Sequence, residues 1–293
     1  MNFFPTPYPD EILYSTLARY SVRSGNVKEI HNFEDLFGKR NCIATVELPT
    51  QLDALIANMP INAKYTAESF IYKNTLFPVY GAFVEPGRAR EIINLMKGNG
   101  GSAVYIKIGL VSGGIELNRY FRFCPKCFEE DIKIYGEPYW HRLHQVTGVF
   151  VCVKHRIPLY NSTELIRGGN RHRFISASHA NCGVDKEISY SNDLMEKMLW
   201  MAKDVEILLN NHFEFKEPEW FKSQFRAKLI EKGYARMNNY IHHKKLKQDF
   251  IEFYGHEYLK LVQSSLPDEG VGWLSDMVRK NVRTTYTIRY LLL

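Results

Sequence analysis

Cys124-Pro-Lys-Cys127, a spacer of 24 residues, then Cys152-Val-Lys-His155 is the stretch on which the reading of the chain's middle turns. Two thiols two residues apart can grip one ion from a tight turn, a zinc knuckle, and Pro125 helps to form that turn. A second pair of the same shape completes four nitrogen and sulfur ligands, the set that structural Zn²⁺ prefers. Three thiolates and one imidazole leave no open position. Cys124, Cys127, Cys152 and His155 are therefore read as ligands of one structural Zn²⁺, with no catalytic role. In so small a segment, metal binding would supply much of the folding free energy. The spacer contains Asp131–Val146, which is expected to form a helix between the knuckles.

Other histidines and cysteines fit this pattern less well. A redox role for Cys124–Cys127 calls for a strand before it and a helix after it in a βαβ unit, and none is visible. His141 and His144 stand at helical i,i+3 spacing and could supplement the ligands, but read better as surface or packing side chains. Cys182 with His172 and His179 falls short of four ligands. Cys42 is alone and reads as a core thiol. Glu129-Glu130-Asp131 reads as the first turn of a helix, where acids suit the dipole.

Working outward from this module, residues 118–165, three further regions are expected. Residues 1–117 read as a helical region. Asp10–Ser24 is an amphipathic helix, with Ile12, Leu13, Leu17 and Tyr20 on one side. Asn32–Phe37, stopped by Gly38, is a short second one, and the pair suits a helix-turn-helix. Leu48–Met59, Thr66–Leu76 (closed by Pro78) and Arg88–Lys97 are also expected to be helical. Residues 166–215 read as a linker or hairpin followed by a helix over Ile188–Asn210. Residues 216–293 form a basic helical region: Trp220–Lys232 with Gly233 as its cap, then Asn238–Tyr254, His256–Ser264 and Trp273–Leu293. Strand-like alternation is best at Ala103–Val111 and Phe150–Val153. The fold class is thus mainly α with minor β, helix-turn-helix-like modules around a small CCCH zinc finger.

Composition excludes several classes. The 293 residues are 45% hydrophobic and 24% charged, as in ordinary globular chains and unlike disordered or fibrous ones. The 18 Tyr and 18 Phe can build a large core. No stretch approaches the roughly 20 apolar residues of a membrane span. The N-terminus lacks the basic and apolar regions of a secretory signal. Five cysteines, an odd number in a chain too long to need disulfides, point to a reducing, cytoplasmic setting. Enzyme signatures are missing: Gly98-Asn-Gly-Gly101 and Gly113-Gly114 lack the Lys-Ser/Thr of a phosphate loop, and no Ser/His/Asp arrangement stands out. Neither an enzymatic activity nor a small-molecule substrate is expected.

The net charge of +6 is unevenly spread. Residues 216–293 hold fourteen Lys/Arg against nine Asp/Glu, a net of +5, and Lys222–Lys247 holds eight basic residues against Glu231 alone. A basic excess confined to one segment suits double-stranded DNA, though a solvated helix face would look the same. Lys222, Arg226, Lys228, Lys232, Lys244, Lys245 and Lys247 are candidates for phosphates, which give affinity without sequence information. Arg236, Asn238, Asn239, His242 and His243 would stand at the start of the helix after Gly233, where a recognition helix meets base edges. The two Asn residues could equally cap that helix.

Several motifs in order carry a resemblance. Phe4-Pro-Thr-Pro-Tyr-Pro-Asp-Glu11-Ile-Leu-Tyr-Ser15, with Ala18-Arg19 after it, is similar to the start of the TniQ/TnsD proteins of bacterial transposons. So is Asn74-Thr-Leu-Phe-Pro-Val-Tyr-Gly-Ala-Phe83. Arg122-Phe-Cys-Pro-Lys-Cys127, Tyr135-Gly-Glu-Pro-Tyr-Trp140 and Cys152-Val-Lys-His155 match that family's zinc module in order and spacing. The tail from Gly272-Trp-Leu-Ser to Arg279-Lys280 resembles the TnsD branch.

The resemblance implies a target-site selector without chemistry of its own, nucleoid-associated in the bacterial cytoplasm. It would bind an attachment site, in the TnsD branch at the end of the glucosamine-6-phosphate synthase gene. It would then recruit the transposon's AAA+ ATPase regulator and, through it, the transposase. The CRISPR-associated branch implies instead an adaptor that joins an RNA-guided complex. A zinc-containing transcription regulator is the reading without a transposon partner. TnsD-type proteins are usually longer, so part of the DNA-reading surface is expected outside these residues.

Overall fold

Every residue from Leu13 to Tyr20 is buried, so the first two turns of the first helix are covered on all sides. The computed structural model in which this is seen describes residues 1–111, 115–236, 240–270, 272–278 and 286–293. Helix α1 (Leu13–Arg23) packs on α2 (Glu29–Phe37), which Gly38 ends at φ 66°, a left-handed position that costs glycine little. Behind them lie α3 (Leu52–Ala57), α4 (Ala67–Asn74), α5 (Phe77–Tyr80) and α6 (Pro86–Lys97). Thr66 and Ser69 close a reciprocal capping box at the start of α4. Pro78 does not end a helix; it stands in the first turn of α5, where its missing N–H costs nothing.

The strand expected over Ala103–Val111 is a helix, α7 (Ala103–Ile108), packed on α6. Val104 and Ile108 are buried while Ile106 stays exposed. Burial thus comes at i and i+4, and this packing overrides the strand preference of the β-branched residues. Among the described residues the strands are β1 (Tyr120–Phe123) and β2 (Tyr160–Leu165), antiparallel, pairing Arg122 with Asn161 and Phe123 with Tyr160. At Phe150–Val153 there is only a single bridge, from Val151 to Pro158. The helix expected over Asp131–Val146 is shifted: α8 (Pro125–Tyr135) begins right after Cys124 and ends at Gly136, and a 3-10 turn covers Leu143–Gln145.

Helix α9 (Asn192–Asn210) starts at Ser191, whose side chain accepts from the Leu194 amide. Leu194, Met198, Met201, Ala202, Val205 and Leu209 form its buried face. It packs on α4, α5 and the 3-10 turn, and on two later helices, so it is the spine between the two halves. Those later helices belong to α10 (Pro218–Glu231), α11 (His243–Tyr254), α12 (His256–Leu261), α13 (Gly272–Val278) and α14 (Thr287–Leu291); α12 and α14 are the two whose backbones pack on α9, and α11 reaches it through Phe253 against Trp200. Helix α11 begins at His243, after a bridge between Ala235 and Ile241; the expected start at Asn238 lies outside the described residues.

Residues 286–290 pack back on residues between Val79 and Thr147. Thr287 donates to the Val79 carbonyl at 3.1 Å, and the Tyr286 hydroxyl to that of Thr147 at 3.2 Å. Tyr290 stacks on Phe83 at 4.3 Å and 4°. A run of aromatic contacts, Phe33–Phe174–Tyr14–Phe121–Trp140, joins α2 to the Cys/His module with centroids 4.7–5.4 Å apart. This is where much of the aromatic excess goes. Among the described residues the fold is mainly helical with one two-stranded sheet, and no helix is long and apolar enough to cross a membrane.

Candidate metal centre and basic surface

Cys124 is the N-cap of α8, Pro125 opens it and Cys127 lies in its first turn. Two sulfurs therefore sit at the positive end of a helix dipole, which favours thiolates. The second pair lies in the loop closed by the Val151–Pro158 bridge, where the His155 amide donates to Cys152 Sγ at 3.4 Å.

The four ligand atoms lie within 4.8 Å of one another. Cys127 Sγ and Cys152 Sγ are 3.6 Å apart. His155 Nδ1 is 3.4, 3.3 and 3.6 Å from the sulfurs of Cys124, Cys127 and Cys152. A tetrahedral ion with bonds of about 2.3 Å to sulfur and about 2.0 Å to nitrogen requires edges of about 3.8 and 3.6 Å. The cluster has the size and donor chemistry of a closed four-ligand site and could hold one metal ion. Protonated, it is frustrated. Hydrogen bonds from Cys124 and Cys127 drive the Cys152 thiol far down, while bonds to Cys124 and Cys152 push Cys127 up. A cation at the centre would stabilise thiolate on all three sulfurs together.

The acidic run belongs to this centre and is not the first turn of a helix. Glu130, midway along α8, faces His155 Nε2 at 3.1 Å and pairs with Lys154. A carboxylate there fixes which ring nitrogen points at the ion. Asp131 is buried and bonds His141 Nε2 at 2.8 Å. Burial pulls the His141 pKa down, but the Asp131 bond and charge prevail and raise it. His144 is fully buried, and burial holds its ring below the usual value. Neither belongs to the four-residue cluster. His172 bonds the Cys42 carbonyl, His179 packs its ring on Phe128, and Cys182 donates to Asn181 Oδ1.

Local sequence patterning does not reveal what the opening motif does. Tyr8, Asp10 and Glu11 wrap the Cys/His module. Asp10 takes the amides of Arg142 and Leu143 on its carbonyl and carboxylate, at 2.6 and 3.1 Å. Glu11 forms a bridge with His141 and accepts from the Tyr8 amide, Ser15 and Arg19. Arg19 reaches Glu137 and lies over the Tyr8 ring, 3.6 Å from its centroid. The signal is present only as a polar cluster, Asp10 and Glu11 just before α1 and Ser15 and Arg19 on it, in a segment otherwise built for burial.

The basic residues divide into three groups. Lys232, Arg236, Lys244 and Lys245 are exposed, as is Lys228, which pairs with Glu231 at 2.9 Å. Lys222, Arg226, His242 and His243 are half-buried, with Lys222 near Glu219 and Arg226 bonding the Arg236 carbonyl at 3.1 Å. Lys247 is spent: its ammonium caps the carbonyls of Pro267, Asp268 and Gly270 at 2.5–2.9 Å. His242 caps α11 and His243 is its first residue, so these two do stand at a helix start. Arg236 stands earlier, its amide bonded to the Tyr240 carbonyl. Asn238 and Asn239 lie outside the described residues.

Comparisons with known proteins cover both regions. The TniQ family profile matches residues 2–159, just over half of the chain, and spans the opening motif and all four ligands. A second profile, Tn7-like transposition protein D, matches residues 201–293 and spans the basic helices. The chain is 26% identical over 286 residues to the Transposon Tn7 transposition protein TnsD of Escherichia coli, an alignment covering 96% of this chain and 55% of that protein. It thus spans about half the length of the curated relative that it matches.

Proposed function

The chain belongs to the TniQ/TnsD family, and from that premise we propose that it selects transposition targets by binding double-stranded DNA, without enzymatic activity. The observation that carries this reading is the order of the two family segments. A TniQ segment contains the four ligands, and a TnsD segment contains the basic helices. The ion in the Cys124, Cys127, Cys152 and His155 cluster is Zn²⁺, a structural ion that holds residues 118–165 in shape.

DNA lies along residues 216–293, where Lys228, Lys232, Arg236, Lys244 and Lys245 reach phosphates. His242 and His243, at the start of α11, are the best placed to approach base edges. Lys222 and Arg226 support that surface from α10, and Asn238 and Asn239, which precede α11 in the sequence, are candidates for the same base edges. Another face, with residues 1–117 available for it, recruits the AAA+ ATPase regulator. The protein works in the bacterial cytoplasm, at the nucleoid.

The test is duplex binding by the zinc-loaded protein over a salt series. One duplex comes from the end of the glucosamine-6-phosphate synthase gene and the other is its scrambled version. A tenfold preference, about 1.4 kcal/mol, is the result expected of a sequence reader. Equal, salt-dependent binding leaves only a phosphate grip. Absence of binding overturns direct DNA recognition and leaves the adaptor role, to be tested by association with the ATPase.

A further inference from the structure

Helix α9 presents a second stripe opposite its buried face. Trp200 and Ile207, two turns apart, are 43% and 50% exposed. Phe253 of α11, 55% exposed, stacks on Trp200 with centroids 5.9 Å apart and planes at 15°. Two large aromatic rings stacked in solvent, continued by an isoleucine along the same helix, form an apolar strip of the kind that marks an interaction site. Tryptophan is also the side chain most enriched where interfaces hold their binding energy.

The rim of this strip is acidic. Glu196 and Asp204 stand one turn before and one turn after Trp200, and Glu252 adjoins Phe253; all three are exposed. Lys203 is the cation on that face. The chain as a whole carries +6, so this surface opposes the protein's own net charge.

We propose that the Trp200–Phe253 strip is a docking surface for a protein segment with an apolar stripe and a basic rim. Charge decides among the possible occupants. DNA phosphates and anionic lipid headgroups would meet Glu196, Asp204 and Glu252 and be repelled. A second copy of this chain, docked by the same patch about a two-fold axis, would set these three acids against their own copies. A basic amphipathic segment pairs its cations with the rim and lays its apolar stripe over the stacked rings. This surface is separate from the DNA-binding one and stands or falls independently of it.

The probe is an 18-residue amphipathic helical peptide with a Leu/Trp stripe flanked by lysines, beside a counterpart with glutamate in place of every lysine. Binding to the full zinc-loaded chain is read by fluorescence anisotropy. Because the chain is net positive, non-specific attraction favours the acidic peptide. The expected result is the reverse, a preference of tenfold or more for the basic one. Trp200→Ser with Phe253→Ser, and separately Glu196→Gln with Asp204→Asn, should each remove that preference while leaving zinc content unchanged, and the aromatic pair should leave DNA affinity unchanged as well. The charge pair leaves the apolar core untouched and so guards against misfolding. Equal binding of both peptides, a preference for the acidic one, a preference that survives either double variant, or self-association abolished by Trp200→Ser would overturn the proposal.

Discussion

Arg19 Nε donates to Glu137 Oε1 at 2.6 Å, across 118 residues of sequence. The same guanidinium donates to Glu11 at 2.9 Å, and Arg23 adds a second cation to Glu137. One arginine therefore ties the opening motif to the segment just beyond α8, on the far side of which the metal ligands sit.

Arg19 is 3% exposed and its partner Glu11 is fully buried. Arg19→Met keeps most of the side chain's bulk but strands the Glu11 carboxylate. Breaking a buried pair by removing one partner costs about 3–5 kcal/mol. Denaturant unfolding of the zinc-loaded variant should show a loss of that size. A loss within error of zero would mean that Glu11 is satisfied by Ser15 and the Tyr8 amide alone.

The Glu137 carboxyl has a pH consequence. Burial raises its pKa, but hydrogen bonds from Arg19 and Tyr8 and the charges of Arg19 and Arg23 outweigh burial and lower it from the ordinary 4.5. A depressed acid stabilises the fold above its unfolded value and loses that contribution as pH falls through the folded one. The stability difference between the native chain and Glu137→Gln should be full near neutral pH and close as the pH drops below about 4.5. A difference that stays constant through that window would show that the carboxylate gains nothing from its three partners.

Metal removal should unfold the Cys/His module. Cys152→Ser leaves three donors and removes the sulfur that bonds both other thiols. The expected outcome is loss of bound zinc and a Tm lower by about 10 °C or more, since losing a structural metal is among the few single changes worth above about 4 kcal/mol. Metal analysis with thermal unfolding checks it. A variant that keeps its Tm without metal removes the structural role.

The basic residues should separate by function. Neutralising Lys228, Lys232, Arg236, Lys244 and Lys245 together should weaken DNA binding and flatten its salt slope, by about 0.9 for each phosphate that the variant no longer neutralises. Lys247→Gln should leave the slope unchanged and lower the Tm instead, because that ammonium caps three carbonyls of the 267–270 loop. A salt slope that falls with Lys247→Gln alone would reverse the assignment.

How much is legible in the sequence varies with the range of the forces. The metal ligands are readable because both pairs are local: two residues of spacing fix each bite, and donor chemistry fixes the rest. Helices α1, α2, α6, α9 and α10 are readable from their periodicity and stops. Helix α7 is not, since Ala103-Val-Tyr-Ile-Lys-Ile108 alternates like a strand and only its packing on α6 sets the period. Strands β1 and β2 escape such a reading because each is short and pairs with a partner 37 or more residues away.

The pairing of the Cys/His cluster, the mainly helical class and the concentration of the net positive charge in residues 216–293 all follow from residue type and near spacing, so they can be read from the amino-acid order. Which charges remain free is settled only when the chain folds. Lys247 is consumed by a loop, Arg19 by two distant glutamates, and Trp200 meets Phe253 in solvent. The partners of Arg19 alone lie 8 and 118 residues away in the chain. Which of these groups meet depends on how the helices stack around α9, a global minimum of packing that local propensity does not encode.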